Sequence, residues 1–93
     1  MPIRSRQALP STAQLGEMCL GYLAENPEAL GAFMAETGYD GRTLMSARGT
    51  PALASGLIDH FARNEPLLLA LCSNAGIEPE AFMGAWQRLN PQL

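Results

Sequence analysis

His60 has the most versatile side chain in this sequence, because it is the single histidine among 93 residues. An imidazole acts as a general base when a carboxylate orients it. Asp59 is its neighbour in sequence, but successive side chains on a helix diverge by about 100°. We therefore expect His60 to be an ordinary half-buried helical residue rather than a catalytic base.

Cys19 and Cys72 are the other residues with reactive chemistry. A reactive thiol needs a nearby cation or a helix N-terminus, and neither cysteine has one in the sequence. They form no CxxC motif and lack the ligand spacing of a zinc site. Both fall on apolar stripes of predicted helices. We expect small apolar core residues, without a disulfide framework or a metal site.

The carboxylates are scattered singly along the chain. Glu28, Glu78 and Glu80 fall in the first turns of predicted helices, where the helix dipole favours negative charge. The sequence contains no nucleophile elbow, phosphate-binding glycine loop or HExxH motif. We therefore expect no enzyme activity, no catalytic residues and no cofactor.

A helix-turn-helix is the most specific functional hypothesis that the spacing offers. In this motif a glycine in the turn is followed by one hydrophobic residue directly and by another about six positions later. Two segments fit this pattern: Gly38-Tyr39 with Leu44, and Gly76-Ile77 with Phe82. The first would present four polar residues as base or phosphate contacts: Arg42, Thr43, Ser46 and Arg48.

The charges argue against nucleic acid as a partner. The net charge is −3, and all six basic residues are arginine. The first candidate recognition helix begins at Asp40, and the second carries Glu78 and Glu80. Few phosphates would be neutralised by such a surface. DNA binding is thus the alternative to a non-catalytic adaptor or regulatory module that binds another protein.

The composition is that of one soluble domain, with 47% hydrophobic and 16% charged residues. Residues 1–10 show no periodicity and are predicted to be a flexible lead-in, followed by a single helical domain over 11–93. The longest apolar run, at 67–72, is too short to span a membrane. We expect a cytoplasmic protein.

Six helices are predicted from their start and stop signals. Capping residues or prolines mark the starts, namely Ser11, Asn26-Pro27, Asp40, Thr50-Pro51, Asn64 and Glu78-Pro79. Gly38 and Gly76 are predicted to end their helices with positive φ. No stretch alternates like a β-strand. The sequence therefore predicts an all-α bundle of about six helices.

The two halves of the chain resemble each other at an offset of 38 residues. Matching residues include Thr12 and Thr50, Leu15 and Leu53, Asn26 and Asn64, and Gly38 and Gly76. We infer a pseudo-repeat over 12–48 and 50–86, giving two related three-helix halves.

The fifth helix is apolar on every side between Leu67 and Cys72. A helix of this kind must be covered all round, which predicts a central helix packed against the second helix near Gly31. Alternatively, Leu67 or Leu69 stays exposed and marks a partner surface, which leaves a homodimer open.

Two segments carry a further pattern in the order and spacing of their residues. The first is Tyr22 to Phe33 followed by Thr37-Gly38; the second is Gly56 to Phe61 followed by Glu65, Leu68 to Ala70, Gly76, Pro79 and Glu80. Together they resemble a known family of short bacterial proteins, domain-of-unknown-function family 3572. The resemblance covers about residues 12–90. Gly41 stands where the family pattern has proline, and Met45 where it has arginine. The resemblance implies a bacterial cytoplasmic helical protein and supplies no activity or site residues.

Overall fold

The computed structural model describes residues 10–91, and its regular secondary structure is entirely helical. The helices are α1 (Thr12–Ala24), α2 (Pro27–Thr37), α3 (Gly41–Ala47), α4 (Pro51–Ala62), α5 (Glu65–Ala75) and α6 (Pro79–Leu89). The predicted all-α bundle of six helices is confirmed. The lead-in predicted over residues 1–10 lies outside the described residues, apart from Pro10.

Side-chain caps fix the starts of several helices. Ser11 and Gln14 form a capping box on α1, with Gln14 N donating to Ser11 Oγ at 3.1 Å and Ser11 N donating to Gln14 Oε1 at 2.8 Å. Asn64 Oδ1 accepts from Leu67 N at 3.3 Å at the start of α5. Asn26 does not cap α2 with its side chain. Its amide donates instead to Tyr22 O at 2.6 Å, so that it closes the end of α1.

Gly38 and Gly76 end α2 and α5 in the left-handed conformation, with φ of 85° and 72°. Each backbone N–H donates to the carbonyl four residues earlier, which satisfies a group that the helix leaves unpaired. The prediction of positive φ at both glycines is confirmed.

The centre of the fold is a pair of helices, α1 and α4, which pack together more extensively than any other two. They approach closely at Gly16 and Ala54: a Cβ added to Gly16 would lie 2.7 Å from the Ala54 Cβ. Further along, the rings of Tyr22 and Phe61 meet edge to face with centroids 6.1 Å apart. Because these contacts come in the same order along both helices, α1 and α4 run in the same direction.

Helix α4 is the central element. It packs against α1, α3, α5 and α6, and it buries Leu53, Ala54, Leu57, Ile58 and Phe61. This finding corrects the prediction that the fifth helix is central. An apolar run shows that a segment can be covered, but it does not show from which sides neighbouring helices come.

Helix α5 lies at the side of the bundle, against α1, α4 and α6. Leu68, Leu71 and Cys72 form its buried face. Leu67 is half-buried against the core, whereas 46% of Leu69 is exposed. The predicted close approach to α2 at Gly31 is also wrong, because Gly31 is exposed and has open space around it.

Some of the helix bounds, but not all, follow the 38-residue offset. Helices α2 and α5 span 27–37 and 65–75, and α3 and α6 begin at 41 and 79. Gly16 and Ala54, which touch across the central pair, are also 38 residues apart. These two closely packed positions are therefore equivalent in the predicted repeat.

Candidate partner-binding surfaces

His60 links α4 to α2. Its Nδ1 lies 2.8 Å from Glu36 Oε1, and only 9% of its side chain is exposed. The imidazole ring packs edge to face on Phe33, with ring centroids 5.1 Å apart. The expectation of a half-buried helical residue fits this placement. Glu36 was missed as a partner because it lies on another helix, 24 positions away in the sequence.

Asp59 faces away from His60, toward α6. Its carboxylate accepts from Trp86 Nε1 at 2.9 Å and from Arg63 Nε at 3.0 Å. Partial burial raises the pKa of Asp59, but the hydrogen bonds from Trp86 and Arg63 outweigh it and hold this pKa below its ordinary value. Asp59 thus ties α4 to α6.

The two cysteines are free and buried. Burial raises the pKa of the Cys19 thiol to about 12. The pKa of Cys72 is also raised, first by burial and then by the negative charge of Glu78. Both thiols are therefore protonated near neutral pH and are poor nucleophiles. Within residues 10–91, no three side chains of His, Cys, Asp or Glu are grouped to hold a metal ion.

Two of the four candidate nucleic-acid contacts are engaged inside the chain. Thr43 completes a capping box with Asp40, whose Oδ1 accepts from Thr43 N at 2.8 Å. Arg48 follows the end of α3 and pairs with Glu17 of α1, with 2.9 Å between Nη2 and Oε1. This pair lowers the pKa of Glu17.

The other two candidates, Arg42 and Ser46, are exposed on α3. The connection from α2 to α3 is three residues long and begins at the left-handed Gly38, as the helix-turn-helix hypothesis expects. However, Arg42 is the single basic residue within α3, whose seven residues also include the exposed Met45. The helix does not present a basic stripe.

A long apolar depression runs along one side of the central helix pair, and we name it the α1/α4 groove. It is lined by Ser11, Thr12, Ala13, Gly16, Glu17 and Leu20 on one side, and by Gly49, Thr50, Pro51, Leu53, Ala54 and Leu57 on the other. Its volume of about 360 Å³ is within the usual range of binding pockets. Three small residues, Ala13, Gly16 and Ala54, contribute to this lining.

Three of the four polar side chains that line the groove, all except Thr12, have partners within the chain. Ser11 Oγ accepts from Gln14 N, and Thr50 Oγ1 donates to Ala47 O at 2.6 Å. Glu17 is held by Arg48. The surface that the groove offers to an incoming molecule is therefore mainly apolar.

A second depression lies at the corner between α5 and α6. We name it the Leu69 depression; it is lined by Leu69, Cys72, Ser73, Gly76, Ile77, Glu78 and Pro79 and has a volume of about 420 Å³. Leu69 was predicted as one half of a partner surface together with Leu67. The structure brings Leu69 to this depression but turns Leu67 toward the core.

The sequence analysis did not find the α1/α4 groove. A signal for it was present: Gly16 and Ala54 are small residues at equivalent positions of the repeat, and small residues at a helix contact allow close approach. Reading it would have required knowing that α1 and α4 are neighbours.

None of the described helices is both long and apolar enough to cross a membrane.

Comparison with known proteins gives one match. No curated protein and no solved structure is detectably similar to the chain. Residues 11–92 match a family described as protein of unknown function (DUF3572), and the match includes all six helices. The chain belongs to the DUF3572 family.

Proposed function

We propose that the chain is a non-catalytic module of the bacterial cytoplasm that binds a segment of another protein. In this proposal, apolar side chains of the partner segment occupy the α1/α4 groove. The observation that carries the proposal is the apolar lining of this groove. An exposed apolar groove favours a protein or peptide partner, whereas a basic stripe along α3 would favour DNA.

An apolar side chain fits the groove better than a polar ligand does. Ser11, Thr50 and Glu17 already have partners within the chain. A polar ligand would lose its hydrogen bonds to water and find few free partners in the groove, which carries a free-energy cost. Ala13 and Pro51, the exposed apolar residues that line the groove, gain by being covered.

The test uses Ala13→Arg, with Ala52→Arg as its matched control. Both alanines are exposed and lie in the first turn of their helices, so an arginine is equally unfavourable to either helix dipole. Ala13 lines the groove and Ala52 does not. The chain is used as bait in the native organism. A captured protein is then purified and titrated against wild type, Ala13→Arg and Ala52→Arg.

We expect Ala13→Arg to lose the partner and Ala52→Arg to keep it, with equal thermal stability of both variants. Amide chemical shifts of Gly16, Leu20 and Leu57 should move when the purified partner segment is added. Binding that persists in Ala13→Arg would contradict the proposal. Native mass spectrometry that shows a small apolar molecule in the groove, and no protein partner, would contradict it as well.

The alternative function, sequence-specific DNA binding, is favoured by the glycine-containing connection between α2 and α3. Under this alternative, Arg42 and Ser46 are the residues free to contact DNA. A mobility-shift selection with Arg42→Ala as the variant distinguishes it from the first proposal, because Arg42 is not part of the groove.

A further inference from the structure

The Leu69 depression combines exposed apolar surface with an exposed carboxylate. Leu69 and Met45 are the two large hydrophobic residues that are strongly exposed in the described part of the chain. Leu69 lies beside a depression, where Ile77 and Pro79 continue its apolar surface. An apolar side chain that entered here would cover Leu69 and remove it from water.

Glu78 supplies the charge at this site. It is the N-cap residue of α6, but its side chain makes no capping hydrogen bond. It is exposed, lines the depression and has no ion-pair partner among residues 10–91. Its carboxylate is therefore available to a cation that approaches from outside.

The charge of the whole chain adds to this local feature. Nine acidic residues stand against six arginines, which gives a net charge of −3 with His60 neutral. Two of those arginines, Arg48 and Arg63, are already paired with carboxylates. The surface thus attracts basic partners and repels acidic ones.

We propose that the Leu69 depression is a second docking site, which takes a basic segment of another protein. One apolar side chain of that segment packs on Leu69, Ile77 and Pro79, and a neighbouring lysine or arginine faces Glu78. The site is separate from the α1/α4 groove and shares no lining residue with it. It does not depend on the groove having a partner.

The first part of the test is selection from a random 12-residue peptide library on the purified full-length chain. The enriched peptides should carry an apolar residue within four positions of a lysine or arginine. Peptides that are acidic, or the absence of any enrichment, would overturn the proposal.

The second part uses variants with matched controls. Leu69→Ser should lower the affinity for the best selected peptide about five- to tenfold, as expected when half of a leucine side chain is no longer buried by the peptide. Glu78→Gln should weaken it about two- to fivefold, the range of an exposed ion pair. Met45→Ser removes another large exposed apolar side chain, and Glu28→Gln removes another exposed carboxylate. Both controls should leave peptide binding unchanged.

Salt gives an independent readout. Raising the ionic strength screens exposed charges, so it should lower the affinity of the chain for the peptide. This salt dependence of the affinity should be smaller in Glu78→Gln than in wild type. Equal binding by wild type, Leu69→Ser and Glu78→Gln would refute the site. A dimer of the free chain that Leu69→Ser dissociates in sedimentation experiments would also refute it, because the occupant would then be a second copy.

Discussion

Replacing Gly16 with alanine should destabilise the protein, although alanine is the better helix former. The substitution places a Cβ 2.7 Å from the Ala54 Cβ and 2.9 Å from the Ala54 Cα. Carbon atoms in contact are best placed about 3.5–4.0 Å apart. Since one of the two neighbouring atoms belongs to the backbone, α1 and α4 must separate to make room.

Two opposing contributions set the magnitude. Alanine gains about 1 kcal/mol over glycine inside a helix. Overpacking of a well-packed contact costs about 1–3 kcal/mol, and we expect the upper part of that range because α1 and α4 form the most extensive helix contact of the fold. The expected net loss is about 1–2 kcal/mol, or a fall of roughly 5–15 °C in Tm for a domain of this size.

Gly21→Ala is the matched control. Gly21 is on the same helix, but it is exposed and has nothing within 4 Å of an added Cβ. Urea unfolding followed by circular dichroism should therefore show Gly21→Ala more stable than wild type and Gly16→Ala less stable. In a double-mutant cycle, Ala54→Gly should cost less in the Gly16→Ala background than in wild type. A Gly16→Ala protein at least as stable as wild type would refute the close contact of α1 and α4.

Three further predictions concern the helix ends, pH and nucleic acid. Gly38→Ala and Gly76→Ala should each cost about 1 kcal/mol in urea unfolding, because both glycines have positive φ; a neutral effect would contradict the backbone conformation. The pKa of the Asp59 carboxyl is lower in the folded state than in the unfolded state. The ionised carboxylate therefore stabilises the fold above the unfolded pKa of about 3.9, and this stabilisation is lost as pH falls through the lower folded value. The loss of stability below about pH 4 should thus be smaller in Asp59→Asn than in wild type, and equal losses would show that Asp59 does not contribute. Mobility shifts with a selected DNA library should find no site bound as tightly as about 10⁻⁸ M, the range of specific complexes; a tighter site would favour the helix-turn-helix function.

Local features of the fold were predictable from the sequence because they depend on residues close together in the chain. The Ser11 capping box needs only the spacing of Ser11 and Gln14, and the positive φ of Gly38 needs only a glycine after an apolar helix. Asn26 shows the limit of this reasoning. Its amide can serve the helix before it or the helix after it, and the structure has it bonded to Tyr22 O.

Features that depend on which helices are neighbours were not predictable in the same way. Leu67 and Leu69 have the same residue type and neighbouring positions, yet one packs on the core and the other is 46% exposed. The difference arises because α5 lies at the side of the bundle, so that only one of its faces meets α4. The contact of His60 with Glu36 was missed for the same reason, since it joins helices that the sequence alone does not bring together.

The close contact between α1 and α4 also borders the proposed binding groove. Gly16 and Ala54 let the backbones of α1 and α4 approach closely, and both residues also line the groove. A larger residue at position 16 would separate the helices and, at the same time, alter the groove. Loss of partner binding in a Gly16 variant would therefore mix a stability effect with a binding effect. The exposed position Ala13 separates the two, because an arginine there blocks the groove without entering the contact between the helices.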